Sequence, residues 1–193
     1  MRLHRLISYP MSLCLCLIAA AFSSHAQYRV AQSPSPPNCT QELFDRAETS
    51  FLKRWGGTEI LVKAERELKD VVRSCSATPE GYQAEEHLRI VQEELAEINL
   101  LIAQFYLSRF YDGRGGCDGA RARLNDILQR YTKYTRLDEV LSLLGKLNIR
   151  QGYLDDAASN YQRLIKDFPN SQYAGEAFIQ LSVIEVMKLN QKP

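Results

Sequence analysis

The chain has 193 residues, 45% of them hydrophobic and 24% charged, with a formal net charge of +1. That length and balance suit one folded domain and exclude a polybasic nucleic-acid binder, since no basic stripe or interleaved aromatic platform is present. Cofactor and metal chemistry are not expected either: beyond the first 26 residues a single histidine, His87, remains, with no second histidine or nearby cysteine.

Residues 1–26 read as a secretory signal peptide. Arg2 and Arg5 precede an apolar run from Met11 to Phe22, and Ser24-His25-Ala26 supplies the small residues of a cleavage site. The run is too short to span a bilayer comfortably. Cys14 and Cys16 lie inside it, and neither follows a Leu-Ala-Gly-type triplet, so lipidation is not expected. Cleavage after Ala26 removes two arginines and leaves a net charge of about −1. The chain is therefore expected to be exported, with at most peripheral contact with a membrane. Residues 27–38, carrying Pro34, Pro36 and Pro37, read as an extended tether, and residues 39–193 as a single helical domain.

In that domain no stretch alternates with period two, while apolar residues recur at helical spacing between turn signals, so the expected class is all-α with about seven helices. Asn38 and Gln41 resemble a capping box opening a first helix, with a core stripe of Leu43, Ala47, Phe51 and Trp55. Gly56-Gly57 ends it. Thr58 is a candidate cap for a second helix, buried through Leu61, Ala64, Leu68 and Val71 or Val72. Glu65, Glu67, Lys69, Asp70, His87 and Glu93-Glu94 read as solvated faces. A long helix from Tyr82 to Tyr111 follows, with Leu88, Val91, Leu95, Ile98, Ile102 and Phe105 on one face. The glycine-rich segment Asp112–Gly119 reads as a loop insertion. It lacks a P-loop lysine and the acidic spacing of a calcium loop. Four more helices are expected at about 119–131, 137–151, 155–168 and 171–189, the last as a cap.

If the first two helices form an antiparallel hairpin, Cys39 lies beside Cys75. Each sits one turn from its helix's apolar stripe, four residues before Leu43 and four after Val71, so a disulfide is expected, with two buried thiols as the alternative. Cys117 is left over.

Residues 138–171 carry Leu141, Leu144, Gly145, Asn148, Ala157, Tyr161, Leu164 and Pro169 in a 34-residue helix–turn–helix frame. This pattern resembles the tetratricopeptide repeat, in which small residues let two helices cross closely and bulky ones fill the space around them. Ile102, Ala103 and Tyr106, then Ala120, Leu124 and Ile127, give a divergent preceding unit, and Tyr173, Ala177, Phe178 and Leu181 begin a third. The expected architecture is thus a tetratricopeptide-like helical hairpin stack, an α-solenoid whose concave side holds a protein partner. Its groove positions are Gln104 and Ser108, then Glu139, Ser142, Lys146 and Arg150, then Glu176 and Gln180. Catalysis is not expected. Glu139 and Glu176 are the only acids on the groove and no catalytic motif surrounds them, which makes an α-helical lytic enzyme the least favoured reading.

Over residues 79–181, the run Leu95-Ala96-Glu97, the run Ile102-Ala103-Gln104-Phe105-Tyr106-Leu107-Ser108-Arg109, and Phe168-Pro169-Asn170-Ser171-Gln172-Tyr173-Ala174 resemble the BamD family. Its members are tetratricopeptide lipoproteins of the outer-membrane β-barrel assembly machinery. The resemblance implies a periplasmic scaffold binding barrel-assembly components. The lipid-acceptor cysteine of that family is missing here. The Phe-Pro-x-Ser-x-Tyr-Ala segment is also similar to a cell-division coordinator of the Tol–Pal system, which offers the alternative of another envelope or peptidoglycan-associated complex.

Overall fold

Seven α-helices account for most of the described chain: α1 (Gln41–Leu52), α2 (Thr58–Ser74), α3 (Pro79–Arg109), α4 (Arg114–Arg130), α5 (Leu137–Arg150), α6 (Leu154–Asp167) and α7 (Ala174–Asn190). The computed structural model describes residues 38–109 and 114–190, so the expected leader, nearly all of the tether and residues 110–113 lie outside the described residues. No strand occurs among the described residues. Each helix packs on its chain neighbours, and α1 also reaches α3. That serial packing is the expected all-α hairpin stack.

Local chemistry sets the helix starts differently from the sequence reading. Thr40, not Asn38, caps α1, its Oγ1 accepting the Leu43 N–H at 3.2 Å. Thr58 is the first residue of α2 and caps nothing, the N-cap being Gly57 at φ 124°. The long helix starts three residues before Tyr82. Thr78 Oγ1 accepts the Gly81 N–H at 3.2 Å, and Pro79 takes the first helical position, where a missing N–H costs no bond. Gly81 sits inside this turn because a Cβ there would strike the Cys75 carbonyl. At 31 residues, α3 is about 46 Å long.

Its buried face turns along that length. Ala84, Val91 and Leu95 are enclosed in the first half, whereas Leu100 and Ala103 are enclosed in the second, as the packing partner changes from α2 to α4. Ile98 and Ile102 are therefore only partly buried and Phe105 is exposed. The glycine-rich segment is also a correction. From Arg114 onward it is the beginning of α4, with Cys117 buried and free. A Cβ on Gly119 would come within 3.3 Å of the Tyr106 ring, so the glycine serves close helix packing.

Charged residues on α2 carry the largest surprise. Glu65 and Glu67 are buried, contrary to a solvated face. Glu65 is held by Lys69 at 2.7 Å and Arg130 at 3.1 Å; Glu67 accepts from the Ser50 hydroxyl and lies 3.5 Å from Arg46. Pairing of this kind offsets the cost of taking a carboxylate out of water. His87 is likewise no free surface residue. Its ring stacks on Phe51 with centroids 3.9 Å apart, and Nδ1 lies 2.6 Å from Glu48, which docks α3 on α1. Cys39 and Cys75 are disulfide-bonded across the α1–α2 hairpin.

The second half is organised by α5, which buries residues over more than half of its circumference. Val140, Leu144 and Leu147 join the core shared with α3 and α4, while Leu141 joins the core of α6 and α7. Tyr161 is fully buried beside Gly145.

Candidate partner-binding face

Two polar contacts join alternate helices of the stack, and both are made by predicted groove residues. Gln104 Nε2 donates to Glu139 Oε1 at 2.8 Å, linking α3 to α5. Lys146 and Glu176 form an ion pair at 2.9 Å, linking α5 to α7. Ser108 Oγ donates to the Phe105 carbonyl at 2.9 Å near the end of α3. Arg150 is exposed as the last residue of α5, and Gln180 is partly exposed on α7. Ser142 does not belong to the surface: it is 2% exposed, enclosed among neighbouring helices, and cannot meet a partner.

Sequence reasoning missed the apolar end of this face. Trp55, assigned to the core stripe, lies instead in a short 3-10 turn, Arg54–Gly56, and is 75% exposed. The Gly56-Gly57 pair was the available signal, because a helix that must stop there cannot carry Trp55 around to its buried face. Arg54 fixes the indole: its guanidinium lies 4.2 Å from the Phe51 ring centroid and 4.5 Å from that of Trp55, and Nε donates to Glu94 at 3.1 Å. Between this turn and α3 lies an open groove of about 480 Å³, lined by Trp55, Leu61 and Ile98 with Glu93, Glu94 and Glu97 along α3. At helical spacing beyond Ile98, Leu101 and Phe105 continue the stripe as exposed apolar residues.

Of the three carboxylates beside the groove, Glu94 is held by Arg54, and Glu93 and Glu97 are anchored from the loop before α5. Glu93 accepts from the Thr135 N–H and hydroxyl. Glu97 accepts from the Tyr134 hydroxyl and from Arg136 Nη1 at 2.6 and 2.8 Å, and Arg136 Nη2 donates to Glu139 at 2.8 Å. A chain Glu97–Arg136–Glu139–Gln104 therefore runs across the face. Partial burial pushes the Glu97 carboxyl up, but the Tyr134 and Arg136 hydrogen bonds outweigh it and hold the group below the ordinary glutamate value of 4.5. Burial and the bond to Glu97 push the Tyr134 hydroxyl up, and the bonds to Glu97 and Glu139 push Arg136 up.

The sign of the Glu97 contribution follows. A depressed folded pKa stabilises the fold fully above 4.5 and ceases to do so as pH falls through the lower folded value. Thermal unfolding of the wild type and Glu97→Gln should thus differ at neutral pH and converge in acid below pH 4.5; a gap that is constant with pH would contradict this latch.

Such a face offers an apolar slot for a bulky side chain, flanked by carboxylate oxygens with lone pairs open to a partner's amide or cationic donors. Among the described residues no cluster of histidine, cysteine and carboxylate side chains could hold a metal ion. In comparison with known families, residues 139–171 match the tetratricopeptide repeat. No curated protein matches the chain. The matched repeat is the α5–α6 hairpin, and units of this kind serve as protein–protein interaction modules in stacked arrays.

Proposed function

We propose that this chain is an exported, non-catalytic scaffold of a bacterial cell envelope that holds a partner protein on the α3–α5 face, in the assembly of outer-membrane β-barrel proteins. The observation that carries the binding role is the Trp55–Ile98 groove with its anchored carboxylates, continuous with a tetratricopeptide repeat. Export is supported by the leader-like features of residues 1–26 and by the Cys39–Cys75 disulfide, a bond that persists in oxidising compartments. The barrel-assembly role rests on the resemblance of residues 79–181 to the BamD family. The partner segment is an extended or helical stretch that inserts an apolar anchor beside Trp55 and presents nitrogen donors to Glu93 and Glu94.

Affinity capture from membranes of the native bacterium should bring down barrel-assembly components, and Trp55→Ala should lower that yield about tenfold or more while leaving the unfolding temperature unchanged. Recovery of Tol–Pal components instead, or a yield insensitive to Trp55→Ala, would overturn this reading.

A further inference from the structure

The last described helix leaves open the face that its predecessor covers. In α5, Leu141, Leu144, Gly145 and Asn148 are buried, and Gly145 meets Tyr161 of α6. One 34-residue repeat later, the corresponding residues of α7 are Gly175, Phe178, Ile179 and Ser182, and all four are exposed. The stripe continues through Val183, Val186 and Leu189, also exposed, while Ala174, Ala177 and Ile184 hold the helix on the α6 side. A helix of the α6 type cannot occupy this face in the same register. The position of Gly145, which a tyrosine ring covers, is taken here by Ile179.

The small residues lie elsewhere, and their placement is self-complementary. Ser182 stands midway between Gly175 and Leu189, seven residues from each, with Ile179 and Val186 flanking it three residues before and four after. We infer that α7 pairs with α7 of a second copy, antiparallel about a two-fold axis at Ser182. In that register Gly175 receives Leu189 of the second copy, Ile179 packs beside Val186 of the second copy, and the two Ser182 residues meet at the axis, where their size permits close approach. Glu185 is the only charged residue on the exposed stripe, and it sits at the edge, so the copies meet without opposed like charges. Pairing would bury roughly 1,000 Å² in total, the low end for a specific interface, which corresponds to a dimer that dissociates on dilution. An isologous contact closes on itself and forms no filament.

Sedimentation equilibrium of the purified protein without its leader should show a monomer–dimer equilibrium, and Val186→Glu should raise the dissociation constant at least tenfold with an unchanged unfolding temperature. Under mild oxidation Ser182→Cys should give a disulfide-linked dimer, whereas Gly175→Cys should not cross-link to itself. The wild-type protein serves as the control for Cys117. A protein that stays monomeric at about 100 µM, well above the dissociation constants of typical specific dimers, would overturn the pairing, whether the face is then covered by residues 27–37 or by another protein. Equal cross-linking of Ser182→Cys and Gly175→Cys would overturn the register.

Discussion

Replacing Cys39 and Cys75 together by serine is expected to destabilise the protein by about 4 kcal/mol, from the chain entropy released on opening a loop with 36 residues of separation. For a domain of this size that is a fall of about 12 °C in Tm. The loss should also be local. Among the described residues, helix α1 packs chiefly on α2, the adjoining 3-10 turn and α3, and the disulfide ties its start to the end of α2. Hydrogen exchange should therefore accelerate in α1 first, with α5–α6 still protected at temperatures where α1 has opened. Reductant should lower the wild-type Tm and leave that of the serine variant unaltered. An equal Tm for the two proteins under non-reducing conditions would show that the hairpin is held by packing alone.

The second large effect belongs to the α5–α6 crossing. A Cβ on Gly145 would lie 2.6 and 2.8 Å from Tyr161 Cε1 and Cε2, well inside van der Waals contact. Because Tyr161 is 0% exposed, its ring has nowhere to swing, and overpacking of this kind costs about 3 kcal/mol. Gly145→Ala is thus expected to be as damaging as a large truncation, despite adding one methyl group. Tyr161→Ala should cost about 4 kcal/mol through the cavity it leaves. Tyr161→Phe separates the ring from its hydroxyl. That hydroxyl has no protein hydrogen-bond partner, so this variant should stay within about 1 kcal/mol of wild type. Combining Gly145→Ala with Tyr161→Leu should be less harmful than the sum of the single changes, since the smaller side chain admits the methyl group. Strict additivity measured by chemical denaturation would refute the steric account.

That crossing was legible because a repeat writes its packing into the sequence: Gly145 and Ala157 are small where helices cross, and Leu144, Tyr161 and Leu164 are large around them. Helix existence was equally readable, since apolar spacing and the stop at Gly56-Gly57 are local signals. Facing was harder. In α3 one periodic stripe was extended through Ile102 to Phe105, although the helix changes partner from α2 to α4 and rotates its buried residues to Leu100 and Ala103. The glycines before Ala120 suggested a loop because their composition does not reveal that Gly119 faces Tyr106 across a helix contact.

At the candidate site, the polar positions Gln104, Glu139, Lys146 and Glu176 followed from the repeat frame. Their mutual bonds did not, nor did the enclosure of Ser142 or the exposure of Trp55. Glu65, Glu67 and His87 were misread for one shared reason. A polar side chain on an amphipathic helix looks solvated until its partner is placed, and the partners here come from other helices: Arg130 for Glu65, Arg46 for Glu67 and Glu48 for His87.

The Glu65 cluster also imposes a schedule on a chain made from its N-terminus. Lys69 emerges almost at once, Gln92 a helix later, and Arg130 only after α3 and most of α4 have been synthesised. A chain cut before α4 would therefore keep the Lys69 partner of this buried carboxylate and lack the Arg130 one.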